Sequence, residues 1–126
     1  MDERAFKRRT KQFALRVIRL VQALPGGPVT AVIGYQLLKA GTSVGANYRA
    51  ACRGKSRKDV LAKLAIVEEE ADESLYWMEL LIEAEIISEE RLQNLMQEGN
   101  EILAMIVASI KTLRKHPAST NPKSKI

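Results

Sequence analysis

The sequence predicts an all-α protein: an antiparallel up-down four-helix bundle, assembled as a homo-oligomer. Three observations carry this. Apolar residues recur with a 3.6-residue period in four long segments. Aromatic residues are only 5% of the 126, in a chain rich in Leu, Ile, Ala, Glu, Lys and Arg. The connections between the segments are short, which favours antiparallel neighbours. Residues 1–116 are enough for one domain that buries its core without staples.

The first helix is expected from Glu3 to Leu24, on the line Phe6, Phe13, Val17, Val21 and Leu24, flanked by Ala14, Ile18 and Leu20. Pro25 disfavours helical geometry in Leu24, and Gly26 and Gly27 open the turn. The second helix is expected from Thr30 to Arg53, on the line Ile33, Leu37, Ala40, Val44, Asn47 and Ala51, with Gly54 as its terminator. Ser56 caps the third, with Asp59 three residues on as a variant of the capping box. That helix runs to about Ala84 on Val60, Leu64, Val67, Ala71, Leu75, Met78 and Ile82, widened by Leu61, Trp77 and Leu81. Ser88 caps the fourth, where Glu89 and Glu90 suit the positive end of the helix dipole. Its line is Leu92, Leu95, Gly99, Ile102, Ile106, Ile110 and Leu113, with Met96, Leu103 and Val107 beside it. Pro117 ends it, and residues 117–126 form a basic tail with too little apolar content to fold. The stripes on helices three and four are wider than one bundle core requires, hence the expected homo-oligomer.

Composition narrows the function. Cys52 is the single cysteine, so no intramolecular disulfide forms and a reducing cytoplasm is the expected setting. The N-terminal residues lack the apolar run of a signal peptide, and no stretch reaches the length of a membrane span. The net charge of +5 hides a segregation. Residues 1–58 hold thirteen bases and two acids, a net of +11. Residues 59–110 hold two bases and thirteen acids, a net of −11, and residues 111–126 add five bases. A basic half suits an anionic partner, RNA or DNA. The competing reading has basic and acidic helices neutralising one another side by side.

No motif for an enzyme emerges. The acidic run Glu68–Glu73 lacks the Glu-x-x-His partners of a bundle metal site, and His116 is the single histidine. No metal or cofactor is expected. Cys52 has cationic neighbours but no base to make it a nucleophile. Gly54-Lys55-Ser56 lacks the strand, spacer and first Gly of a phosphate loop. The residues from Thr42 to Lys58 carry five bases and no acid. Arg49, Arg53 and Arg57 follow at four-residue intervals, and helix one brings Arg4, Lys7, Arg8, Lys11, Arg16 and Arg19. The surface expected to hold phosphates is Arg8, Arg9, Lys11, Arg16, Arg49, Arg53, Lys55, Arg57 and Lys58, with Tyr48 available to stack on a base. Asn47 is expected to fix helix register from a buried position, with Ser43 as a further structural residue, and Ala46, Ala50 and Ala51 to allow close helix approach.

Ser43-Val44-Gly45-Ala46-Asn47, followed by Arg53-Gly54-Lys55-Ser56, resembles the small bacterial bundle proteins first noticed as products of intervening sequences in 23S ribosomal RNA genes. Glu69 to Trp77, with Leu80-Leu81, looks like that family's third helix, and the resemblance covers about residues 10–115. Many members carry an acid and a Gly shortly after the Asn; here those places hold Ala50 and Ala51. The resemblance implies a homopentamer of four-helix bundles with a basic surface. A similar bundle is the accessory protein of diversity-generating retroelements, which binds nucleic acid and the reverse transcriptase. A gene lying inside a ribosomal RNA gene implies no ribosomal function. The expected function is therefore non-enzymatic nucleic-acid binding, the alternative a purely structural or protein-interaction module.

Overall fold

The computed structural model describes residues 2–115. Four helices fill most of that span: α1 (Glu3–Gln22), α2 (Pro28–Cys52), α3 (Arg57–Glu83) and α4 (Glu89–Lys115). No strand occurs among the described residues. The expected tail, 117–126, lies outside them, as does His116.

The helix ends follow local chemistry. The Asp2 carboxylate accepts from the Arg4 N–H at 2.9 Å and opens α1. This helix stops at Gln22, two residues short of the expected Leu24. Pro28 occupies the first turn of α2, so that helix starts two residues before the expected Thr30. Gly27 before it has φ of +130°, a conformation that favours glycine. Ser56 Oγ accepts from the Asp59 N–H at 3.1 Å, and the Asp59 carboxylate accepts from the Lys55 N–H at 3.1 Å. The two bonds lock the corner between α2 and α3. After α3, Glu85 sits in the left-handed region at φ 60°. Its N–H donates to the Ile82 carbonyl, and the Ile86 N–H donates to the Leu81 carbonyl, both at 2.9 Å. This pair of bonds is a Schellman ending built without glycine.

The core runs the length of the bundle. On α4 the expected line is buried throughout: Leu92, Leu95, Gly99, Ile102, Ile106, Ile110 and Leu113. On α3 the line holds up to Met78 and then passes through Leu81 rather than Ile82, with Ser74 also buried. On α2 the seam is Leu37, Gly41, Val44, Tyr48 and Ala51, in alternating steps of four and three. Tyr48, not Asn47, holds the core place, and its ring meets the edge of Phe6 with centroids 4.7 Å apart. Asn47 is half-buried.

Small residues set how close α1 comes to α2. A side chain at Gly41 would stand 2.8 Å from the Val17 methyls, and one at Gly45 3.2 Å from Thr10 Oγ1. Gly99 plays the same part under Leu75 and Phe13. The contacts down the α1–α2 seam are thus Phe6 with Tyr48, Thr10 with Gly45 and Val17 with Gly41. Helix α1 packs on α2, α2 on α3 and α3 on α4, while α1 meets α4 more sparingly.

Candidate nucleic-acid interface

The close α1–α2 approach leaves a groove along its outer edge. Arg4, Lys7, Arg8, Lys11 and Ala14 line it from α1, and Thr42, Gly45, Ala46, Arg49 and Arg53 from α2. Both sets repeat at three- and four-residue steps, so each lies on one helix face. The groove has a volume of about 520 Å³. Six of its ten lining residues are cationic and none is acidic. Ala14, Gly45 and Ala46 form a small-residue floor on which nothing long projects. Lys7 makes a 3.4 Å contact with Glu3 one turn before it. Among the described residues, Arg4, Arg8, Lys11, Arg49 and Arg53 have no ion pair.

The bases expected to bind phosphate divide by location. Arg8, Lys11, Arg49 and Arg53 lie in the groove. Arg9 turns to α4, where Nε donates to Glu98 at 2.7 Å and Nη2 to Glu98 at 2.8 Å and Glu101 at 2.6 Å. The Glu98 hydrogen bonds push the guanidinium above its ordinary pKa against the opposing effect of burial. Arg57 also turns inward: its Nε donates to the Leu113 carbonyl at 3.0 Å and caps the end of α4. Arg16 is half-buried outside the groove, and Lys55 and Lys58 are exposed at the α2–α3 corner. Arg4 and Lys7 complete the lining. Their signal in the sequence is the spacing of Arg4, Lys7, Arg8 and Lys11, which fixes one face of one helix.

The residues singled out beside them take other roles. The Asn47 amide donates to the Ser43 carbonyl at 2.8 Å, and Ser43 Oγ donates to the Lys39 carbonyl at 2.7 Å. Both therefore close on the backbone of α2 itself. Ala46 is exposed in the groove floor. Tyr48 is 0% exposed, so it offers no face to a base. Burial pushes the pKa of Tyr48 and of its neighbour Cys52 upward, which leaves a protonated thiol without a nucleophile's character.

The acidic half behaves differently from the groove. Glu70 on α3 has its pKa raised by burial and by the nearby Glu73 charge. A depression on α4 of about 450 Å³ is lined by Glu89, Gln93, Met96, Gln97, Asn100, Glu101 and Ala104, with no base. The ion pairs between helices, among the described residues, join Arg9 to α4; none joins α2 to α3. No group of three or more His, Cys, Asp or Glu there is placed to hold a metal ion. No helix there is long and apolar enough to cross a membrane.

The chain matches the family described as 23S rRNA-intervening sequence protein over residues 3–108. It is also similar to a crystal structure from Bacteroides thetaiotaomicron, described as a protein with unknown function from the S23 ribosomal protein family. The two share 37% identity and a TM-score of 0.82, over 89% of this chain and 100% of that one. No curated protein matches the chain.

Proposed function

From the premise that the chain belongs to the 23S rRNA-intervening sequence protein family, we propose that it is a non-enzymatic, oligomeric bundle that binds RNA or DNA through the α1–α2 groove. One observation carries the reading: six cations converge on a small-residue floor with no acid among the lining residues. Carboxylates of the same bundle would neutralise such a set if the charges served only to hold helices together. Here the nearest helices leave five of the six unpaired. The pairings of Phe6 with Tyr48, Thr10 with Gly45 and Val17 with Gly41 support an antiparallel course for α1 and α2, and that of Arg57 with Leu113 one for α3 and α4. The buried, free thiol of Cys52 suits the cytoplasm.

The test is a gel shift at low salt with labelled RNA and DNA. The wild-type chain retards both, and the pair Arg49→Glu with Arg53→Glu abolishes the shift while the helical circular dichroism is kept. Equal shifts by the wild type and the variant would refute the groove.

Self-association has its own supporting observation. Val32 and Tyr35 on α2 and Ile66 and Tyr76 on α3 are exposed, Tyr35 to 61%. Isolated exposed apolar residues are ordinary, but large ones recurring on two adjacent helices suit a second copy of the chain. The reading is a homo-oligomer, a pentamer by family resemblance. Light scattering on the wild type and on Val32→Glu with Tyr35→Glu tests it: an assembly falls to the monomer mass in the variant, and a monomeric wild type contradicts it.

A further inference from the structure

We infer that the groove holds nucleic acid by the sugar–phosphate backbone alone, so a strand without bases binds as well as one with them. This rests on the reading of the groove as a nucleic-acid site and adds what part of the ligand it takes. The argument is one of donors and acceptors. Arg and Lys side chains donate hydrogen bonds and cannot accept them. The lining consists of six such residues, three residues without a polar side chain, and Thr42. The Thr42 hydroxyl donates to the Leu38 carbonyl at 2.7 Å, which leaves its oxygen as the one side-chain acceptor of the lining. Backbone carbonyls along the groove belong to helix hydrogen bonds. The site is therefore almost purely a donor surface.

Phosphate oxygens are pure acceptors and match it. Base edges match it only in part: every nucleotide offers its phosphate, whereas guanine alone offers the paired O6 and N7 acceptors that Arg takes, and the amino or imino donors of adenine, cytosine and guanine need an acceptor side chain such as Asn, Gln, Asp or Glu. Asn47, one residue from the lining, spends its amide on the Ser43 carbonyl. An aromatic stacking platform is also missing inside the groove, because Tyr48 is turned into the core against Phe6. Tyr35 shares the α2 stripe with Thr42 but stands two helical turns, about 10 Å, beyond it. The ribose 2′-hydroxyl offers these donors one more acceptor, weaker than the charged phosphate, while its proton meets no carboxylate or amide oxygen in the lining, so RNA and DNA are close to equivalent ligands.

The experiment is fluorescence anisotropy at low salt with the full chain and three labelled strands of equal length: DNA, RNA and abasic DNA. Inorganic polyphosphate serves as an unlabelled competitor. The expected result is three affinities within about threefold of one another, with polyphosphate displacing each strand. Arg49→Glu with Arg53→Glu lowers all three together. If DNA or RNA binds at least about tenfold tighter than the abasic strand, bases are read or stacked and the backbone-only inference falls, while the groove reading stands. If no strand binds the wild type, or the variant binds as well as the wild type, the groove reading itself falls and takes this inference with it.

Discussion

Tyr48 is the residue on which the core of the α1–α2 interface turns. Its ring fills the place between Val44 and Ala51, yet its hydroxyl is buried without a hydrogen-bond partner, with the Cys52 thiol beside it. A thiol is a weak partner, so the hydroxyl carries a desolvation cost that the ring does not. Tyr48→Phe is expected to leave stability unchanged or raise it by about 1 kcal/mol in chemical denaturation. A loss of similar size would mean that the hydroxyl is bonded to the thiol. Asn47 and Tyr48 also mark where the sequence is ambiguous. Steps of three and of four both stay on one helix face, so Val44-Asn47-Ala51 and Val44-Tyr48-Ala51 are equally good lines on spacing. Only contact with Phe6 across the seam decides between them, and that contact belongs to tertiary structure.

A second residue, Glu70, ties stability to pH. Burial beside Glu73 raises its pKa in the folded chain, so the folded state favours the protonated form. The sign follows from linkage. A raised folded pKa gives a contribution that is fully present below the unfolded carboxylate range and lost as pH rises through the folded value. At neutral pH the ionised Glu70 is therefore a cost. Glu70→Gln is expected to raise the melting temperature at pH 7 and to match the wild type near pH 3. An unchanged or lower melting temperature at pH 7 would show that attraction to Lys39 outweighs burial.

At the scale of elements, the helices were legible because four independent signals agreed: period, caps, glycine and proline placement, and charge at the helix ends. The line on α4 needs no revision: its residues are buried, while Met96 and Leu103 beside it are only partly so. The shifts at Gln22 and Pro28 arise because the turn chemistry of Pro25 to Pro28 fixes the break and leaves the fraying residues open. Side-chain direction was less legible. Arg9 is one residue from Arg8, yet one hundred degrees of helix rotation send it to α4 and its neighbour to the groove. Arg9 is the tie across the sparsely packed α1–α4 seam, through two acids and a 3.1 Å contact to the Met105 sulfur. A double-mutant cycle of Arg9→Ala and Glu98→Ala is expected to give a coupling of about 1 kcal/mol, as the pair is bidentate but part-exposed. Nucleic-acid affinity is expected to survive Arg9→Ala, and a loss comparable to that of Arg49→Ala would contradict the division of the basic residues drawn here.

At the scale of the molecule, the charge segregation seen along the chain survives in three dimensions. Among the described residues, ion pairs tie the two halves at Arg9 alone; folding places six cations in one groove and leaves on α4 a polar depression with two carboxylates and no base in its lining. Counts of bases and acids could not distinguish this from a neutral mosaic, because the outcome depends on which faces α1 and α2 turn to each other. Gly41 and Gly45 decide it, by letting the helices close on Val17 and Thr10 and so presenting the two basic faces to one edge. The most direct test is the salt dependence of strand affinity. Each phosphate neutralised on a single strand adds about 0.7 to the slope of log affinity against log salt. Replacing both Arg49 and Arg53 by Ala is expected to flatten that slope by about 1.4, with Arg9→Ala leaving it unchanged. Identical slopes for the wild type and the Arg49/Arg53 variant would contradict the groove as the site where nucleic acid is held.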